Sequence, residues 1–234
     1  MKSNGLHLVL TLAVGFGGAI LPAAHPALAE GAIRGAVVLP PGQARKRSFR
    51  GDLYRNRLAP DRGADEAPVE RSPFADVVVS AHPLSFQAVV APLPTPARMA
   101  QLQAEFAPRV LPVTVGTTVE FVNLDRFYHN VFSLTPGSQF DIGRKPTGQV
   151  VPSAFATPGV VELFCDIHPQ MSARILVLDT PWFAQPDGEG RFHIDGLRPG
   201  RYRVRAFHPE HEAVERQVDV GEGVPVSQDF AFGR

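Results

Sequence analysis

The sequence predicts an all-β protein, and three observations predict it. Its apolar runs are short, and several alternate apolar with polar residues in period two. Turn formers are dense: glycine and proline together number 44, as 21 and 23. No stretch beyond the N-terminal segment holds apolar residues at helical spacing. With 234 residues and 44% of them hydrophobic, the chain can bury one sizeable sandwich or two small ones. Its formal net charge is zero, so composition gives no bulk attraction to nucleic acid or to a membrane surface.

Residues 1–29 read as an export signal. Lys2 supplies the positive start, Leu8 to Leu21 form an apolar run of 14, and Ala27-Leu28-Ala29 is a small-x-small cleavage pattern. That run is short of the roughly 20 residues a spanning helix needs. The mature chain is therefore expected to begin at Glu30, in the periplasm, with no membrane span. A single cysteine cannot close an internal disulfide in that compartment. Cys165 is then either buried and inert or held as thiolate by a metal, because an idle exposed thiol invites oxidation.

Ala32 to Leu39 reads as the first strand. Residues 40–75 break the pattern, with Arg45, Lys46, Arg47, Arg50, Arg55 and Arg57 followed by Asp61, Asp65, Glu66 and Glu70. A charge run so poor in apolar residues reads as a solvated surface insertion. Strands are expected again at Asp76 to Ala81 and Phe86 to Ala91. Ala100 to Phe106 reads as one half-buried strand, because apolar and polar residues alternate along it. Val110 to Val115, Thr117 to Asn123, His129 to Leu134, Gln149 to Ala156, Val160 to Phe164 and Ala173 to Leu178 complete a sandwich over 30–180. Beyond Pro181, strands around Phe192, Tyr202 to Phe207, Ala213 to Val220 and Val224 to Phe232 suggest a second, smaller unit over 181–234.

The chemistry lies between Val160 and Asp179. Cys165, His168 and Met171 fall at three-residue intervals on a short loop between two strands. Thiolate, thioether and imidazole together suit a soft ion, and copper above all. A trigonal site needs a second imidazole, and His129 in FVNLDRFYHNVFSL is the candidate. No P-loop, HExxH or Ser-His-Asp pattern marks an enzyme. Glu162 and Asp166 read as surface charge. His208 and His211 read as a solvated turn, and His82 and His193 as structural.

Two resemblances follow from these motifs. Residues Leu111 to Asp179 resemble the cupredoxins, the small blue-copper electron carriers. His129-Asn130 follows GTTVEFVNLD, and Cys165-Asp166-Ile167-His168-Pro169-Gln170-Met171 has the short Cys-x-x-His-Pro-x-Met loop of the amicyanins. The resemblance implies a Greek-key sandwich holding one type 1-like copper ion on His129, Cys165, His168 and an axial Met171. It implies that the Asn130 side chain ties the His129 strand to the Cys165 loop. It also implies docking of periplasmic redox proteins at Phe127, Tyr128 and Pro169, around an exposed edge of His168. Arg126, Arg144 and Lys145 are expected to surround that collar. With every coordination position filled by protein, an electron carrier is expected rather than an enzyme. Copper delivery, storage or a scaffold role stays open beside it. The pattern Gly190-x-Phe192-x-Ile194-x-x-Leu197-x-Pro199-Gly200-x-Tyr202 resembles the transthyretin-like, carboxypeptidase-regulatory-like β-domain, whose motif fixes turns and core aromatics. Because all four ligands precede Pro181, removal of 181–234 is expected to spare the metal site.

Overall fold

The computed structural model describes residues 30–41 and 72–233; the expected export signal and most of the charged insertion lie outside them. The chain is all-β. It opens with β1 (Gly31–Val38) and, after a single 3-10 turn at Pro73–Asp76, β2 (Val78–Pro83). It runs on through β3 (Ala97–Leu102), β4 (Glu105–Ala107), β5 (Val110–Thr114), β6 (Thr118–Asn123), β7 (Phe132–Ser133), β8 (Phe140–Asp141), β9 (Val150–Ala154), β10 (Gly159–Phe164) and β11 (Ser172–Leu178). The last part holds β12 (Phe183–Ala184), β13 (Arg191–Leu197), β14 (Gly200–His208), β15 (His211–Val220), β16 (Val226–Ser227) and β17 (Phe230–Ala231). No helix among the described residues is long and apolar enough to cross a membrane.

One sandwich is built from a continuous piece of chain. Its sheets run β5-β11-β10-β7-β8 and β4-β3-β6-β9, with parallel pairs β5–β11 and β3–β6 among antiparallel ones. They close over a core that includes Met99, Phe121, Leu163 and Ile175. The second sandwich pairs a β12-β2-β14-β15 sheet with a β13-β1-β16 sheet, to which β17 adds by pairing with β1. Its core holds Ile33, Val79, Phe192, Ile194, Leu197, Tyr202 and Phe230. The Tyr202 hydroxyl donates to the Arg198 carbonyl at 2.8 Å, so this buried phenol keeps a partner.

The two N-terminal strands are where the structure departs from the sequence reading. Gly31–Val38 and Val78–Pro83 were expected to complete the first sandwich, but they pair with β13 and β14 of the second. Alternation shows which side chains of a strand turn inward; it carries no information on which sheet receives them. Gly35 fits β1 into this second sandwich, because a Cβ there would lie 1.9 Å from the carbonyl oxygen of Gln228, between β16 and β17. The sandwich of 97–178 is therefore inserted between β2 and β12.

The chain leaves and returns at one place. The Ala81 N–H donates to the Trp182 carbonyl at 2.9 Å, and the Thr180 hydroxyl donates to the Ala81 carbonyl at 2.6 Å. His82 meets Asp179 at 2.9 Å. The sandwiches also share a small apolar core of Val78, Val110, Leu176, Leu178 and Phe207. This explains the unbroken ILVL run of β11: Ile175 and Val177 face one core, Leu176 and Leu178 the other.

Two further expectations change. Ala100 to Phe106 is a hairpin, since Gln103 and Ala104 take positive φ of 61° and 56° and turn the chain between β3 and β4. Phe86 to Ala91 is not a strand; Phe86 instead packs edge-on against Trp182 and Tyr202.

Candidate metal centre

Backbone pairing brings the candidate ligands to one end of the first sandwich. Phe164 of β10 pairs with Ser172 of β11, so Cys165 to Met171 form the closed loop between them. The Met171 N–H donates to the His168 carbonyl at 2.9 Å and tightens the loop. His129 precedes β7 and is fixed by reciprocal main-chain bonds with Lys145, at 3.2 and 2.7 Å.

His129, Cys165 and His168 converge there, all three buried. Cys165 Sγ lies 3.9 Å from His129 Nδ1 and 3.8 Å from His168 Nδ1, and the two Nδ1 atoms are 3.1 Å apart. A point equidistant from these three atoms lies about 2.1 Å from each, the range of metal–nitrogen and metal–sulfur bonds. The donor set fits a soft or borderline ion without rearrangement, and one thiolate with two imidazoles favours copper.

The electrostatics suit such an ion. Burial pushes the Cys165 thiol up, but the His129 imidazole and the N–H groups of Asn130, His168 and Ile167 together hold it below its ordinary value. Burial also disfavours a charged His129, yet its bonds to Asp125 and Cys165 raise it overall. His168 is lowered, by burial and by the neighbouring His129. Both shifts run toward a thiolate beside a protonated imidazole, and a metal ion bound there would displace that proton.

Asp125 completes the centre, and no motif in the sequence singles it out. Its Oδ2 lies 2.8 Å from His129 Nε2. With Nε2–H donating to the carboxylate, Nδ1 faces the Cys165 sulfur and would be free to hold a metal ion there. Asp125 is buried in turn, and accepts from the Gln103 and Ala104 N–H groups at 2.6 and 2.8 Å. Burial pushes its carboxyl up, but the His129 bond first, and then these two N–H groups, hold it below the usual range. Asn123 secures the same loop: its Nδ2 donates to the carbonyls of Phe127 and Lys145, and its Oδ1 accepts from the Asp125 N–H. The turn partners of Asp125 lie 22 and 21 residues before it, and although His129 is only four residues on, such nearness in a loop does not by itself mark a bonded pair.

The remaining expected residues lie as follows. Met171 is 1% exposed within the core that also holds Cys165. Asn130 meets the site through its main chain, its N–H toward Cys165 and its carbonyl accepting from Gln101 Nε2 at 3.2 Å. The Asn130 side-chain oxygen is buried without a hydrogen-bond partner. Tyr128 and Pro169 are exposed, and Phe127 is half-buried. The expected exposed edge of His168 is absent: the residue is only 3% exposed. Phe127 packs against it at a steep tilt, with ring centroids 5.3 Å apart, and edge-on against His129 at 4.9 Å. Arg144 is paired with Asp166 at 3.1 Å rather than free.

Two other clusters deserve comparison. The fold assembles a Ser80–His82–Asp179 chain that no sequence pattern announced, with Ser80 Oγ 3.0 Å from His82 Nε2 and Asp179 on Nδ1. Ser80 is 3% exposed on an inner strand of its sheet, so this chain ties the two sandwiches together. His208 and His211 stack across the β14–β15 turn with centroids 4.7 Å apart.

No family model and no curated protein matches this chain. Among solved structures, part of it is similar to a purple cupredoxin from Nitrosopumilus maritimus, at 24% identity and TM-score 0.33, covering 35% of this chain and 99% of that one. A copper-containing nitrite reductase from Thermus scotoductus SA-01 is similar at 29% identity and TM-score 0.35, over 47% of this chain and 27% of that one. A reduced copper(I) form of an amicyanin variant is similar at 19% identity and TM-score 0.34, over 40% of this chain and all of that one, 100%.

Proposed function

We propose that this chain is an exported, periplasmic copper protein that passes single electrons between redox partners. The observation that carries the reading is the buried triangle of His129 Nδ1, Cys165 Sγ and His168 Nδ1, already at bonding separation around one point. Met171 would be the fourth and weakest-held ligand, and Asn130 is the residue whose main chain supports the thiolate. Bound copper would supply a one-electron couple. The protein's part is to hold its donors still: Asp125 orients His129, three N–H groups steady the sulfur, and the loop between β10 and β11 is tightly closed. A rigid donor set needs little rearrangement between oxidation states. Phe127, Tyr128 and Pro169 form the docking collar of this reading. Arg126 and Lys145 are the cations nearest in sequence that could steer an acidic partner. The second sandwich, built on β1, β2 and 183–231, is assigned a supporting role in partner contact.

Copper(II) loading tests the reading. A strong thiolate-to-copper band that bleaches and returns on reduction and reoxidation supports the carrier. A colourless site that holds only copper(I) supports copper delivery instead. Cys165→Ser should lose the band, because a hydroxyl is a hard, poor substitute for thiolate; a persisting band would refute the ligand assignment.

A further inference from the structure

Three rings meet at the metal centre. The imidazoles of His129 and His168 lie 4.7 Å apart, and the Phe127 ring sits 4.9 and 5.3 Å from them. It is inclined about equally to each, at 61° and 60°. Both imidazoles are buried, while Phe127 is half-buried, so its ring packs against both from a partly exposed position. The ring is also held. Asn123 Nδ2 donates to the Phe127 carbonyl at 2.7 Å, and Asn123 is itself buried and bonded to Lys145 and to the Asp125 N–H. The backbone that carries the ring is thus fixed.

We propose that Phe127 closes the metal centre to small exogenous ligands such as azide, peroxide or water, so that only electrons cross this face. The proposal rests on the copper reading above and deepens it. A small anion must displace or pass the aromatic face to reach the ion, and an apolar ring offers it no hydrogen bond in exchange for its hydration shell. The same ring shields the Cys165 sulfur in the metal-free protein, which makes the proposal testable without copper.

Two measurements on the parent, Phe127→Ala and Phe127→Tyr proteins decide it. In the metal-free proteins, iodoacetamide alkylation of Cys165 is followed by mass. In the copper(II) proteins, azide is titrated against the visible and EPR spectra. The parent and the tyrosine variant should alkylate slowly and ignore azide. The alanine variant should alkylate faster and show a saturable spectral change. Phe127→Leu, which also lacks the ring, serves the same comparison if the alanine variant does not fold. Equal alkylation rates and equal azide responses across parent and ring-less variants would overturn the proposal. So would an azide response already present in the parent. If no protein forms a thiolate–copper band, the copper reading fails, whereas the alkylation contrast still reports whether Phe127 covers the site.

Discussion

Asp125 controls the centre without belonging to the proposed ligand set. Its carboxylate holds His129 by Nε2 and two turn N–H groups on its other side, so one residue fixes an imidazole and a hairpin together. Asp125→Asn should cost ~1–3 kcal/mol of stability through poorly matched buried donors. It should also raise the reduction potential, because a neutral partner leaves His129 less electron-rich and copper(II) less stabilised. Unfolding curves and voltammetry separate the two effects; an unchanged potential would reduce Asp125 to a structural role. Met171→Gln should retain copper and lower the potential, since an amide oxygen favours copper(II) over copper(I) more than a thioether does. An unchanged potential would return Met171 to the core. At this scale the sequence showed donors but not their supports. Cys165, His168 and Met171 are legible because their spacing is local, and His129 because copper chemistry asks for a second imidazole. Asp125 was invisible because its turn partners lie more than 20 residues before it.

Among the elements, the turn between β3 and β4 and the start of β5 show how distant contacts override local pattern. Period two across Ala100 to Phe106 predicts one strand, but Asp125 captures the amides of Gln103 and Ala104 and a hairpin forms. At the start of β5, Arg109 bonds Asp76 at 2.8 Å and also reaches Glu210, near the tip of the β14–β15 hairpin. The Arg109 guanidinium is the main reason the Glu210 carboxyl lies below its ordinary 4.5. A depressed carboxyl stabilises the fold fully above that ordinary value, and the contribution is lost as pH falls through the depressed one. Acid should therefore loosen the β14–β15 tip from β5 below about pH 4.5, and Arg109→Leu should do so at neutral pH. Amide exchange at residues 208–211 checks this; protection that stays constant from pH 6 to pH 3 would argue that the clasp contributes nothing.

For the whole molecule, the insertion changes which cut is clean. Removing 181–234 strips β1 and β2 of their partners and exposes Ile33, Val79 and Ala81, all fully buried. That truncation should aggregate rather than yield a copper-binding remnant, contrary to the expectation from ligand positions alone. Excising residues 92–180 instead preserves every strand pair of the first sandwich. The fragment should take up copper with the parent's spectrum, at lower stability because Val110, Leu176 and Leu178 lose their cover. Sedimentation and copper titration of the two truncated proteins would distinguish these outcomes; a soluble, copper-binding 1–180 chain would contradict the strand pairing.

The same nesting imposes an order on synthesis. Gly31 waits for Leu197 before β1 has its partner, and Val78 waits for Phe207, whereas every strand of the first sandwich meets its partners within residues 97–178. Domains generally fold as units while the chain emerges, and contacts distant in sequence form slowly. The sandwich holding the ligands can therefore finish first, while the outer one keeps two orphan strands until the C-terminal hairpins arrive. Until then the exposed edges of β1 and β2 are the part of the nascent chain most open to misassembly with other chains.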